Sequence, residues 1–224
     1  MRLLKLTFAL LVLLTIYSCA TAVPLDRHFY SRKKVGVIIQ VDSIRMTKEG
    51  GQGLLDIAIT PGNRFYSTLK AIEPQMEIEK RLKDEMTKIL NSKSKEFVYI
   101  DKDFDYEKLP KFVSPKSPKE FSKKDFKSLA AKYNVDEVIY VRTHYGLLVS
   151  YYSMIEIGKE GYVNITSQII NLEDNSLMHQ ETVLERTDIK GNWKEGDDYS
   201  NLKTAINAAL DKGIKDLKAK YYVK

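Results

Sequence analysis

Cysteine is almost absent from this chain: among 224 residues there is one, Cys19. With no second cysteine, disulfides and multi-thiolate metal sites are excluded, and the fold must rest on its hydrophobic core. Histidine is scarce as well. His28, His144 and His179 have no histidine or carboxylate at metal-ligand spacing in the sequence, and no His-Glu-x-x-His occurs. There is no Gly-x-Ser-x-Gly elbow for a serine nucleophile. Gly50-Gly51-Gln52-Gly53 is not a phosphate loop, because no Gly-Lys-Ser/Thr follows and no helix pattern begins just after it. The alternating carboxylates Asp101, Asp103, Asp105 and Glu107 suggest a calcium loop. Counted from Asp101, however, Tyr106 and Phe112 stand where the loop needs Gly and Glu. No metal or other cofactor is expected, and the chain is expected not to be an enzyme.

What is present begins with the first twenty residues. Arg2 and Lys5 precede Leu6 to Ile16, an apolar run interrupted only by Thr7 and Thr15. Such a run is about 16 Å long as a helix, half the roughly 30 Å of a bilayer core, so it reads as a secretory signal peptide and not as a permanent span. It ends in Ile16-Tyr17-Ser18-Cys19, which resembles the lipobox of bacterial lipoproteins, with Tyr17 at a position where Ala or Ser is commoner. The resemblance implies removal of residues 1–18 and a diacylglycerol thioether on Cys19, usually with a further acyl chain such as palmitate on its amine. Two or more chains give firm membrane anchoring, and a lipidated Cys19 leaves no cysteine nucleophile. The alternative is that Cys19 belongs to an ordinary signal peptide. The residue after Cys19 is Ala20, not the Asp that holds Gram-negative lipoproteins in the inner membrane. By the same resemblance the protein is sorted to the outer membrane with its domain facing the periplasm.

Loss of Arg2 and Lys5 with the signal lowers the formal net charge from +6 to +4. That mild surplus suits an anionic membrane surface or an acidic partner without requiring either, and nucleic acid is a poor fit for an exported protein.

Residues 19–32 are expected to be a polar tether and 33–224 a single α/β domain. Val35-Gly36-Val37-Ile38-Ile39-Gln40-Val41 predicts a strand buried on both faces. A long connection, 42–73, follows, with Leu54 to Ile59 as a short extra strand or lid. Pro74 is placed at the first turn of a helix carrying Ile78, Leu82, Met86, Ile89 and Leu90 at helical spacing. Phe97 to Ile100 predicts a second buried strand, making a right-handed βαβ unit. After an irregular stretch, Ser122 reads as the cap of a short helix ending near Asn134, and Val138 to Val141 as the third buried strand. Gly146–Ile157, Tyr162–Leu172 and Leu177–Arg186 read as an antiparallel meander, with turns at Gly158-Lys159-Glu160-Gly161 and Glu173-Asp174-Asn175-Ser176. A final amphipathic helix from about Asn201 carries Leu202, Ala205, Ile206, Ala209, Leu210, Ile214 and Leu217 in one stripe. The expected fold is thus one α/β sandwich: a mixed sheet built as βαβαβ plus meander, and a C-terminal amphipathic helix.

That order of elements, with Tyr162 to Met178 turning one strand into the next through Glu173-Asp174-Asn175, resembles a bacterial envelope group. Its members include the curli-secretion lipoprotein, the TolB amino-terminal domain and lipoprotein activators of penicillin-binding proteins. The likeness in residue pattern covers about Val135 to Arg186, and Glu173-Asp174-Asn175 stands where many members have Asp-x-x-Thr-Gly. It implies a non-enzymatic protein that binds another envelope component in assembly, secretion or wall synthesis.

Candidate partner-binding residues are Lys111, Phe112, Lys116 and Lys119, from a stretch in which eight lysines between Lys102 and Lys127 interleave with Phe104, Tyr106, Phe112, Phe121 and Phe126. The stretch is either a cationic aromatic surface or a solvated loop whose aromatics pack back on the core. Tyr151 and Tyr152, with Tyr140, Tyr145 and Tyr162, are candidates for a second binding face, although tyrosine is ordinary in strands. A carrier or sensor of a small apolar or lipid ligand, held beneath the 42–73 connection, is the alternative function. An enzyme would need a closed pocket with Asp or Glu beside His144.

Overall fold

A computed structural model describes residues 22–31, 34–50, 65–100, 104–153, 155–193 and 198–221. The signal peptide, Cys19, the Leu54–Ile59 segment, Asp101 and Asp103 lie outside the described residues. The elements are β1 (Lys34–Val41), β2 (Arg45–Glu49), α1 (Tyr66–Ile72), α2 (Ile78–Ser92), β3 (Glu96–Tyr99), α3 (Ser128–Tyr133), β4 (Glu137–Tyr152), β5 (Ile155–Asn171), β6 (Leu177–Asp188) and α4 (Ser200–Tyr221).

The six strands form one mixed sheet in the order β3-β1-β4-β5-β6, with β2 also pairing β4. β3 and β1 run parallel, as the βαβ unit requires, and β4, β5 and β6 form the antiparallel meander. The α/β sandwich with a mixed sheet and a C-terminal helix is therefore the observed architecture. β1 and β2 lie end to end along β4: Val35 to Val41 pair with Glu137 to Thr143, and Arg45 to Glu49 with Gly146 to Ser150. Asp42, Ser43 and Ile44 form the break between them.

Periodicity explains one face. The helical spacing of Ile78, Leu82, Met86, Ile89 and Leu90 buries all five side chains. α4 buries Leu202, Ala205, Ile206, Ala209, Leu210 and Leu217, while Ile214 is only partly buried. The two helices cover the face formed by Val35, Val37, Ile139, Val141, Val163, Ile165 and Ile169. Across their seam, Arg81 donates to Asn207 Oδ1 at 3.0 Å and pairs with Asp211, and Lys218 meets Glu85 at 2.8 Å. The opposite face holds a smaller core of Ile38, Val138, Tyr140, Ile170 and Leu172, closed by Phe126, Leu129 and Val135 of the stretch before β4.

Several expectations are corrected. Pro74 lies in a 3-10 turn, Glu73–Gln75, between α1 and α2, so it joins two helices instead of opening one. β3 is an edge strand and only half buried. Val138–Val141 and the run from Gly146 are one continuous strand, because Gly146, at φ +145°, lets the Arg45 carbonyl come where a Cβ would stand 2.0 Å from it. Gly158 to Gly161 lie inside β5, and the chain reverses after Tyr152, with Ser153 at φ 54°. Gly161 is there for α4: a Cβ on it would lie 2.4 Å from Ile206 N and 2.5 Å from Ala205 C. Ser122 does not cap α3, which starts at Ser128 after an N-cap Lys127 that makes no side-chain cap bond; Ser122 is buried in the smaller core's border. The expected tether is partly docked. Phe29 is wholly buried, and Val23 exchanges two backbone hydrogen bonds with Gln180 at 2.8 and 2.9 Å.

Candidate functional site

The break between β1 and β2 builds the most organised polar cluster among the described residues. Alternation along β1 sends Ile38, Gln40 and Asp42 to the smaller-core face, and alternation along β4 sends Tyr140, Arg142 and His144 to meet them. The smaller core ends at Tyr140, so the side chains beyond it are left at a half-open surface. Arg142 donates to Asp42 through Nη2 at 3.1 Å and Nε at 3.4 Å. Gln40 Nε2 reaches Asp42 Oδ1 at 3.3 Å, and Tyr140 donates to Gln40 Oε1 at 2.9 Å. His144 Nδ1 lies 2.7 Å from Asp42 Oδ2, a close contact without the alignment of a good hydrogen bond. Tyr106 stacks on Tyr140 with ring centroids 5.1 Å apart and planes 3° apart, and the Arg142 guanidinium lies 5.7 Å from the Tyr106 centroid.

Burial pushes the His144 pKa down, and the neighbouring Arg45 and Arg142 charges act in the same direction against the pull of Asp42. His144 is therefore neutral at pH 7, and Arg142 is the cation that balances Asp42. Beyond them the sheet face continues as Asn164, Thr166 and Gln168 on β5 and Gln180 and Thr182 on β6. Thr166 and Thr182 hydroxyls lie 3.2 Å apart, and Gln168 Nε2 donates to Gln180 Oε1 at 2.5 Å.

A carboxylate does stand beside His144, and both side chains are partly exposed among the described residues. On the other side of the Asp42 break, a groove of about 570 Å³ runs beneath α2, where Glu73, Glu77, Glu79 and Asp84 alternate with Lys80 and Lys83. Burial pushes the Tyr145 hydroxyl at its floor up to about 12. The place expected for an apolar ligand is beneath the 42–73 connection, of which residues 51–64 lie outside the described residues; the groove under α2 borders it and has mainly charged walls. Among the described residues no group of three or more His, Cys, Asp or Glu could hold a metal, and no helix is long and apolar enough to cross a membrane.

The six partner-binding candidates do not form one surface. Lys111 forms an isolated bridge with Lys124, and the Phe112 ring faces Phe121 at 5.7 Å with Lys127 Nζ 5.4 Å from its centroid. Lys116 is exposed. Lys119 is bound to Asp174 at 2.8 Å; burial works against Asp174 ionising, but Lys119 and Ser176 hold its pKa down at about 2. The other aromatics turn inward: Phe126 is fully buried, Phe104 and Tyr106 lie against Tyr140. Of the five tyrosines, Tyr140, Tyr145, Tyr151 and Tyr162 are buried and only Tyr152 is exposed. Tyr152 ends β4, about 40 Å of strand beyond Tyr140, on which the lysine-rich stretch packs, at about 3.3 Å per residue. The strand expected at Val35–Val41 ends where β1 does, but the third expected strand ends at Val141, short of Arg142 and His144, and so does not bring them to Asp42. The signal was the continued alternation Tyr140, Arg142, His144 against Val141, Thr143, Tyr145.

No protein-family model matches the chain, and no curated protein sequence does. Solved structures do resemble it. A neuraminyllactose-binding hemagglutinin homolog from Helicobacter pylori is 12% identical with a TM-score of 0.42, over 91% of each chain. Lipoprotein GNA1162 from Neisseria meningitidis is 8% identical with a TM-score of 0.37, over 81% of this chain and 99% of that one. The LpoB C-terminal domain from Salmonella enterica is 11% identical with a TM-score of 0.22, over 66% and 80%. Bacterial lipoproteins are thus among the structures with a related outline. At these scores no property of theirs passes to this protein.

Proposed function

We propose that this chain is a lipid-anchored, non-enzymatic lipoprotein of the bacterial envelope, held by Cys19 in the outer membrane, whose sheet face binds another envelope component. The observation that carries the binding role is the face itself. From Asp42, Arg142 and His144 to Thr182, side chains of four adjacent strands present hydrogen-bonding groups on a rigid ladder, with no enclosing pocket among the described residues. That arrangement suits a flat macromolecular surface better than a small substrate. Assembly, secretion and wall synthesis are the processes such a partner serves.

The anchor is tested by metabolic labelling with an alkyne fatty acid: the parent labels and Cys19→Ser does not. Equal labelling of both, or none of either, overturns it. The face is tested by photo-crosslinking in cells, with a benzophenone amino acid at Thr166 or Gln168 and at Lys215 on α4 as control. The expected result is one adduct of defined mass from the sheet positions only. The same adducts from Lys215 would sink the assignment.

A further inference from the structure

The outer edge of β6 has a free stretch beside a charged groove. Gln180 turns its N–H and C=O outward, to Val23, and Arg186 turns its C=O outward, to Lys212 Nζ at 3.1 Å. Antiparallel pairing alternates every two residues, so Thr182 and Leu184 turn their N–H and C=O outward as well. Among the described residues nothing bonds to these four groups. Leu184 is 47% exposed and puts an apolar surface on one side of the edge. Along the same edge runs a groove of about 440 Å³ between β6 and the end of α4; residues 181–185 form its strand wall, with Glu181, Val183 and Glu185 on the helix side, and Asp216, Ala219 and Lys220 form the other. Lys220 is engaged by Glu181 at 3.3 Å, while Glu185 and Asp216 have no ion pair among the described residues.

We infer that this edge accepts an extended polypeptide segment as a seventh strand, and that the segment alternates apolar with basic side chains. Main-chain bonds to Thr182 and Leu184 would give the pairing that Val23 already makes at Gln180. Alternate side chains of the guest then fall on opposite faces. One set covers Leu184 and the other enters the groove, where Glu185 and Asp216 call for Lys or Arg. A second copy of this chain fits badly, since antiparallel pairing about Leu184 would set Glu185 of one copy diagonally beside Glu185 of the other on the groove side. This deepens the partner-binding reading, but uses the sheet edge and not its polar face.

The test uses the full lipidated chain in phosphatidylcholine nanodiscs, which carry no net charge to attract a cationic peptide. The probe is a fluorescein-labelled peptide of alternating valine and lysine, seven residues long, read by anisotropy and by amide hydrogen exchange. Binding with new protection at Thr182 and Leu184 is expected. It should be lost when the outward-facing amides of the peptide are N-methylated, and weakened at least tenfold by Glu185→Lys with Asp216→Lys. A peptide with glutamate in place of lysine should not bind. Equal binding by the methylated or acidic peptide overturns the inference, as does protection of Thr182 and Leu184 in the chain alone, which would mean that the edge is already filled. Peptide binding with no face-specific crosslink in cells would sink the polar face alone, and the converse would sink the edge alone.

Discussion

The two faces of the sheet are covered by different means. α2 and α4 close one face with apolar stripes on regular helices. The other is closed, over half its length, by the run from Phe104 to Val135, which packs through Phe126, Leu129 and Val135 and is pinned at its middle by one buried asparagine. Asn175, wholly buried at φ 64°, accepts from Phe126 N at 2.9 Å and donates to Ser122 O and Lys124 O at 3.2 and 3.0 Å, while its backbone O accepts from Ser122 N. Asparagine tolerates the left-handed region that this turn requires, and here its side chain docks the cover as well. A helical cover is held by a periodic apolar stripe, whereas this one joins a smaller apolar cluster to a few specific bonds.

The largest effect is expected where the helical face meets a buried ion pair. Lys95 Nζ lies 3.0 Å from Glu137 Oε2 and donates to Phe29 O at 2.6 Å, with both side chains fully inaccessible. Lys95→Met leaves the Glu137 charge buried and should cost about 3–5 kcal/mol in urea unfolding. Lys95→Met with Glu137→Leu should recover most of the loss. If the double variant is no better than the single one, the pair is not coupled as drawn.

The irregular cover is tested at Asn175. Asn175→Ala both strains the backbone and removes the docking bonds, for about 2–4 kcal/mol. Asn175→Gly keeps the backbone conformation, so its smaller loss isolates the side-chain bonds. Hydrogen exchange should show the 104–126 segment opening while α2 and α4 stay protected. Equal loss of protection on both faces would mean that the two covers do not differ.

Close packing on the helical face is probed by Gly161→Ala, whose new methyl must displace α4 from Ala205 and Ile206. A loss of about 1–3 kcal/mol is expected, with chemical-shift changes centred on those residues. Gly161 also shows how much could be read in advance. Helix stripes and strand runs were legible because burial writes a period into the sequence. Gly161 was read as a turn because a glycine that makes room for a helix looks, in one dimension, like a glycine that makes a turn. The docked cover has no period at all, and Asn175 carries its meaning only once Phe126 and Ser122 are beside it. The Asp42 site was half legible: its alternating residues stand in the sequence, but the strand pairing that joins positions 42 and 142 does not.

Lowering the pH should weaken both faces. His179, buried against Val23 O at 2.9 Å on the helical face, has its pKa pushed down by burial, and so has His144 on the other. In both, the unfolded chain takes up a proton near pH 6.5 while the folded chain still resists it, so stability is complete above that pH and falls as pH drops below it. His179→Asn should flatten the decline more than His144→Asn, since His179 is the more deeply buried. A melting temperature that is constant from pH 7 to pH 5 would refute both assignments.

The smallest effect is expected at the polar face itself, which is what a recognition surface predicts. Asp42 and Arg142 are both partly exposed, at 21% and 30%, so their pair contributes under about 1 kcal/mol. Asp42→Asn should therefore leave the melting temperature nearly unchanged. It removes the one group that raises the His144 pKa, while burial, Arg45 and Arg142 go on lowering it. An imidazole titration followed by NMR should show His144 moving further below its ordinary value, with His179 unaffected. The same substitution should reduce the crosslink from Thr166, because binding at this face depends on charge that folding does not use. If Asp42→Asn instead unfolds the chain and leaves the His144 titration in place, the cluster is structural, and the distinction between a face built for packing and a face left for a partner fails at its most specific point.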